Sequence, residues 1–288
     1  MPRPDISLEF FPPKSLEASF RLWDTVQTLS PLGPRFVSVT YGAGGTTREL
    51  TRDAVKAIHK QSGLRTAAHL TCVNATREET LEIARGFWDV GVRDIVALRG
   101  DPPKGEDRFT PTDGGFQDSC ELIEGLKAER DFTIRVGAYP DVHPNAGTQQ
   151  DDVDYLKRKF DAGADEALTQ FFFEAETFFR FRDACEKAGI DKPIVPGIFP
   201  VENWKGARRF AEACGTKIPQ WVIDAFETAE RDGRSDLLAT SLCTELCSDL
   251  IEGGVDKLHF YTLNKPELTR DVCHAIGVTP ETRLENVA

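Results

Sequence analysis

The chain has 288 residues, 40% of them hydrophobic, enough for a substantial buried core and too many for wholesale disorder. Lys plus Arg number 35 against 47 Asp plus Glu, a formal net charge of −12, which argues against nucleic acid or an anionic membrane as a partner held by the overall field. No apolar run approaches the ~18 residues of a membrane span, and the opening Met1-Pro2-Arg3-Pro4-Asp5 lacks a secretory apolar core, so a soluble cytoplasmic protein is expected.

Short apolar or β-branched runs recur at 6–11, 36–42, 65–72, 94–100, 133–140, 166–173, 194–200 and 257–264. Their starts are 30, 29, 29, 39, 33, 28 and 63 residues apart, and a spacing near 30 is what a strand, a crossover helix and two loops require. Eight such strands predict an α/β protein, a single closed (β/α)8 barrel spanning 1–288 as one domain. The intervening helices are predicted at 46–60, 76–89, 174–188 and 205–213, with two more near 219–231 and 236–252 filling the long last gap. The first opens on Thr46-Thr47-Arg48-Glu49, a capping-box pattern, with Leu50, Ala54, Ala57 and Ile58 on one face; the second repeats the device with Thr76 and Glu79. The Pro- and Gly-rich stretch 101–117 follows the fourth strand, where barrel loops line active sites. The competing architecture is a doubly wound sheet, but Gly42-Ala43-Gly44-Gly45-Thr46-Thr47 lacks the third glycine of a dinucleotide fingerprint.

Seven cysteines with no CxxC pair predict core thiols, with neither disulfide nor zinc; Cys243 and Cys247, four apart, can share a helix face. Among the histidines, His69 and His143 fall at strand ends, His59 and His274 read as helix surface, and His259 reads as packing. No pair has metal-ligand spacing, so no metal is expected.

Barrel chemistry sits at the carboxyl ends of strands, and those ends carry Glu9, Thr40-Tyr41, His69, Arg99-Gly100-Asp101, Tyr139 with His143, Gln170 and Asn264-Lys265. Glu9 lies in Leu8-Glu9-Phe10-Phe11-Pro12-Pro13, where desolvation is expected to raise its pKa and favour a neutral acid; the alternative is a structural acid paired with a base. Asp101 can orient a ligand approached through Gly100, or can be an ordinary turn or N-cap aspartate. Arg158 and Lys159 can grip a phosphate or belong to a solvated face.

These stretches, with Phe36-Val37-Ser38-Val39-Thr40-Tyr41-Gly42-Ala43-Gly44-Gly45, Leu98-Arg99-Gly100-Asp101, Thr169-Gln170-Phe171-Phe172-Phe173 and Phe260-Tyr261-Thr262-Leu263-Asn264, resemble the short bacterial type of the methylenetetrahydrofolate reductase family over nearly the whole chain. The resemblance implies a barrel holding FAD without a Rossmann fingerprint, with NADH or NADPH as hydride co-substrate and a folate as substrate. It implies interconversion of 5,10-methylenetetrahydrofolate and 5-methyltetrahydrofolate by a ping-pong route in one-carbon and methionine metabolism. By the same likeness Glu9 matches the general acid that protonates folate N10, Asp101 the acid beside flavin and folate, and Gln170 the amide on the pterin. Thr40, Tyr41, Ala43, His69, Arg99, Gly100, Tyr139, His143, Ala146, Asp152, Arg158, Lys159 and Ala164 match positions lining the FAD site. Trp204 stands where the family often has Phe against nicotinamide or folate, Lys265 where Arg is frequent near the folate tail, and Tyr155 replaces a common Asn. A homo-oligomer, dimer or tetramer, is expected, without an appended regulatory domain. The rivals are another barrel enzyme, such as a flavin-dependent amino-acid dehydrogenase or a pterin methyltransferase, and a catalytically silent flavin- or folate-binding barrel.

Overall fold

The computed structural model describes residues 3–42, 47–102, 105 and 109–280. Eight strands run parallel in chain order and close into a barrel: β1 (Asp5–Phe10), β2 (Val37–Val39), β3 (Thr66–Thr71), β4 (Asp94–Leu98), β5 (Thr133–Ala138), β6 (Glu166–Phe171), β7 (Ile194–Ile198) and β8 (Lys257–Tyr261). Each falls inside or within one residue of a predicted run, because strands covered on both faces read as nearly continuous apolar sequence. The described helices are α1 (Leu16–Leu29), α2 (Arg48–Ser62), α3 (Arg77–Asp89), α4 (Ser119–Glu129), α5 (Gln149–Asp161), α6 (Ala175–Lys187), α7 (Trp204–Cys214), α8 (Gln220–Asp232), α9 (Ser235–Glu252) and α10 (Pro266–Ala275). No described helix is long and apolar enough to cross a membrane.

Two details depart from the expectations. At α3 the box forms as predicted, Thr76 and Glu79 satisfying each other's backbone N–H. At α2 it does not: the N-cap is Thr47, whose hydroxyl accepts from the Gly42 N–H and meets Thr51 at 3.2 Å, and Thr46 lies outside the described residues. The buried face of α2 is Thr51, Ala54, Val55 and Ile58, while Leu50 is 40% exposed. Cys243 and Cys247 do share the buried face of α9.

Alternation along the strands makes two cores. One lies between barrel and helices; the other, inside the barrel, joins Phe36, Ala67, Val96, Leu168 and Val195. Beneath the inner core, toward the amino ends of the strands, is a buried ionic network. Arg135 of β5 reaches Asp94 at 2.6 Å and Glu166 at 2.8 Å, while Arg65 and Arg35 each hold one of those carboxylates at 2.8 Å. The Arg135 guanidinium also lies 3.7 Å from the centroid of the Phe36 ring. Charge therefore closes the floor and leaves the carboxyl ends of the strands as the open mouth.

Candidate active site

The inward residues of β1 are Ser7 and Glu9, and barrel register sets Glu9 beside Ser38 of β2 and Tyr261 of β8. The backbone after β8 fixes this strand end. Thr262 donates to the Glu9 carbonyl through its hydroxyl at 2.7 Å and its N–H at 3.2 Å. The Asn264 amide brackets Phe11, accepting from its N–H and donating to its carbonyl, both at 2.9 Å. Leu263 and Asn264 take left-handed φ values of 52° and 55° to make this clamp, a strain that a site tolerates where position matters.

The Glu9 carboxyl, 14% exposed, is surrounded by polar groups converging on Oε2: His69 Nε2 at 3.1 Å, the Ser38 hydroxyl at 3.5 Å and His259 Nε2 at 3.6 Å. Burial pushes its pKa up, but the two imidazoles outweigh burial and hold it down to about 2. The expected neutral acid is thus corrected to a resting carboxylate among histidines. His259, read from sequence as packing, is fully enclosed with Nδ1 2.8 Å from Ser7 Oγ. Tyr261 completes this wall, its hydroxyl donating to the Thr169 carbonyl at 2.6 Å. Burial and the nearby Glu9 charge keep that phenol well above its ordinary pKa, so it stays a donor. Gly197 opposite is compulsory, since a Cβ there would stand 2.1 Å from the Thr169 carbonyl and 2.7 Å from the Tyr261 ring.

The other side of the mouth is built by β4, β5 and α5. Tyr139 and His143 pack edge to face, centroids 4.4 Å apart. Burial raises the Tyr139 hydroxyl to about 12, and the exposed Asp101 carboxylate facing it adds to the rise. His143 is pushed down by burial and by Arg99. Asp152 accepts from the His143 N–H at 2.8 Å and Ala146 donates to the His143 carbonyl at 2.8 Å, so the first turn of α5 fixes this loop. Side chains of a helix lean toward its amino end, so Arg158 and Lys159 reach back up α5. They then part company. Arg158 stays 62% exposed beside Asp118 at 3.2 Å, whereas Lys159 turns inward onto the Gly137 carbonyl at 2.8 Å and burial pushes its amine down to about 8. Of the two residues expected to grip a phosphate, Arg158 is thus exposed and Lys159 is held inside. Tyr155 places its hydroxyl 2.9 Å from Ser119 Oγ and its ring 4.6 Å from the Lys159 amine.

Other predicted site residues fall as follows. Thr40 donates its N–H to the Phe10 carbonyl, and Tyr41 accepts from Arg48 Nε at 2.7 Å, both beside the mouth. Gln170 reaches the inner rim with its Oε1 accepting from the Phe171 N–H at 3.0 Å. Gly100 has φ 88°, and a Cβ would stand 2.6 Å from Val73, so packing within the chain itself already requires glycine there. Lys265 caps α10 and lies 3.9 Å from Glu202, which already partly answers its charge. Ala43 lies outside the described residues.

Two predicted positions are buried. Ala164 precedes β6, at the floor end, 1% exposed, and touches the site only through α5, donating its N–H to the Lys159 carbonyl. Trp204 is 5% exposed and stacked on Phe226 of α8, centroids 4.5 Å apart and planes at 6°, so its face is spent on packing. The aromatic surface packed near Tyr261 and Leu263 is instead Phe171, Phe199 and Phe210, the last 43% exposed. Sequence reasoning missed Ser7, His259 and Tyr261 as partners of Glu9. The signal was their spacing of two, Ser7 to Glu9 and His259 to Tyr261, on strands that pair when the barrel closes.

A family model described as methylenetetrahydrofolate reductase matches residues 2–277. The 5,10-methylenetetrahydrofolate reductase of Salmonella typhimurium is 45% identical over 277 residues, covering 96% of this chain and 92% of that protein. The Escherichia coli enzyme of the same name is 44% identical with the same coverage. An Arabidopsis thaliana methylenetetrahydrofolate reductase (NADH) is 34% identical, this chain covering 49% of its length. Among solved structures, an uncharacterised Clostridium thermocellum protein, described as binding two copies of 5-methyl-5,6,7,8-tetrahydrofolic acid, shares the fold with a TM-score of 0.63 at 14% identity, over 95% of this chain and 93% of that one. The chain belongs to the methylenetetrahydrofolate reductase family.

Proposed function

We propose that this chain is a flavin-dependent enzyme interconverting 5,10-methylenetetrahydrofolate and 5-methyltetrahydrofolate at the expense of NADH or NADPH. The observation that carries the reading is a carboxyl at the barrel mouth with a hydroxyl and two imidazole nitrogens turned toward one oxygen, a setting in which a proton can be held and handed over. The residues at the mouth fit FAD. Arg158 offers a largely exposed guanidinium for a diphosphate, Arg99 stands beside Asp101, and Tyr139 with His143 gives an aromatic edge. Bound FAD would supply the hydride exchanged between pyridine nucleotide and folate.

The protein's own part is proton handling and positioning. Glu9 presents a proton to folate N10, which opens the five-membered ring to an iminium ready for reduction. Asp101, exposed beside Tyr139, and Gln170 on the inner rim orient the pterin. Lys265, shared with Glu202, meets the folate tail. The setting we infer is the cytoplasm, in one-carbon and methionine metabolism, with the chain acting as a dimer or tetramer. The test is an absorbance spectrum under anaerobic titration. A yellow protein bleached by NADH or NADPH and recoloured by methylenetetrahydrofolate supports the reading, and a colourless protein that binds no added FAD refutes it.

A further inference from the structure

Seven large hydrophobic side chains are exposed among the described residues, and four of them gather on neighbouring segments: Phe11 after β1, Leu16 and Phe20 on α1, and Leu50 on α2. Leu16 at 75% and Phe20 at 67% are the most open of the seven. With Trp23 they follow the spacing i, i+4, i+7, which makes one apolar ridge along α1. That ridge is not the helix's core face, since Leu22, Val26 and Leu29 already bury the side toward the barrel. Alongside it, Leu22 and Trp23 of α1 and Leu50, Ala54, Ala57 and Ile58 of α2 wall an apolar groove of about 380 Å³. The segment after β1 belongs to the same surface: Pro13 lines the groove, and Phe11 stands exposed while the Asn264 amide holds its backbone.

Three features say what covers this surface. Ridge and groove run side by side, so a two-fold axis between them sets the ridge of each copy into the groove of the other, the self-complementary form of an isologous interface. Lys14 on the α1 side and Asp53 on the α2 side are both exposed and opposite in sign, so the same rotation turns Lys14 of one copy toward Asp53 of the other. The area is also sufficient. At about 180 Å² for each whole residue, the four exposed side chains offer roughly 400 Å² of apolar surface per copy, half of the ~800 Å² that each partner gives to a standard interface, and the groove walls add to it. An anionic bilayer fits less well, because Arg21 beside the ridge is already paired with Glu17 and the chain carries a net charge of −12.

We propose that two copies of this chain associate through α1 and α2, the Leu16–Phe20 ridge of each filling the α1–α2 groove of the other. The proposal rests on the oligomer inferred above and not on the chemistry assigned to the mouth. Phe11 carries the interface to the mouth: the Asn264 amide pins it two residues beyond Glu9, so association braces the strand end that holds the carboxyl. One such face accounts for a dimer, and a tetramer needs a second, different face.

The test is sedimentation velocity on the full chain with FAD added, at physiological salt and across a concentration series. The parent is expected to be a dimer or a dimer of dimers. Leu16→Glu and Phe20→Glu each place a charge in the interface twice, once per copy, and are expected to raise the dissociation constant of this step at least about 100-fold. Ala57→Trp, which fills the groove from within, is expected to do the same. All three then give monomers from a dimer, or dimers from a tetramer, with parent-like circular dichroism. Leu237→Glu, equally open at 66% but on α9, is the control and keeps the parent's mass. Leu16→Glu, Phe20→Glu and Ala57→Trp with the parent's mass overturn this face and leave the oligomer standing. A parent that is monomeric at every concentration overturns both. Neither outcome bears on the reductase reading, which turnover of methylenetetrahydrofolate decides separately.

Discussion

Replacing Arg135 with methionine removes the cation shared by Asp94 and Glu166 in the barrel floor. The side chains involved are 5%, 2% and 7% exposed, so water cannot take over the lost interactions. Breaking a buried pair ordinarily costs about 3–5 kcal/mol because a charge is left uncompensated. Here Asp94 keeps Arg65 and Glu166 keeps Arg35, each at 2.8 Å, so the loss belongs at the low end, about 3 kcal/mol. For a chain of this size that lowers the melting temperature by roughly 6–12 °C. Thermal and urea unfolding of the FAD-loaded parent and Arg135→Met measure it. The substitution also strips the cation from beneath Phe36, the ring on which His259 stacks, so the folate half-reaction is expected to slow more than flavin reduction. A loss under 1 kcal/mol would show that the network is dispensable and that the floor does not brace the site.

Three further outcomes follow from the geometry. Arg158→Ala is expected to weaken FAD retention more than Arg182→Ala, because Arg158 is exposed beside the mouth whereas Arg182 ties α6 to the Gly253 carbonyl; equal retention after gel filtration refutes the assignment. Trp204→Ala is expected to cost about 3–5 kcal/mol of stability while the Michaelis constants of the folded fraction stay near the parent's, since the indole packs on Phe226; a large rise for either substrate would return it to the site. Gly197→Ala is expected to displace Tyr261 and abolish the folate half-reaction or folding itself, and a parent-like rate would contradict the close approach described.

The barrel was legible because the strands are short runs rich in apolar and β-branched residues and the crossover spacing repeats. Helix α1 was harder to read, since Leu16 and Phe20 are 75% and 67% exposed and blur its apolar stripe. Polar residues at strand ends announced the mouth, Glu9 among them. A histidine in the middle of a strand looks the same whether it packs or pairs, and only the closure of β8 onto β1 puts His259 beside Ser7 and under Glu9. The pKa of Glu9 was misjudged for the same reason: burial could be read from Phe10 and Phe11, but imidazoles brought from β3 and β8 could not. Ala164 and Trp204 carried family resemblance, and the structure sets one at the floor end and packs the other on Phe226.

The central claim is that Glu9 handles the proton of the folate step and nothing in the nucleotide step. Glu9→Gln keeps the shape of the side chain and removes the acid. Anaerobic stopped flow on this variant is expected to show flavin reduction by NADH near the parent rate and reoxidation by methylenetetrahydrofolate slowed at least about 10²-fold, the lower end for a general acid. Reoxidation at the parent rate would contradict the account at the residue on which the rest depends.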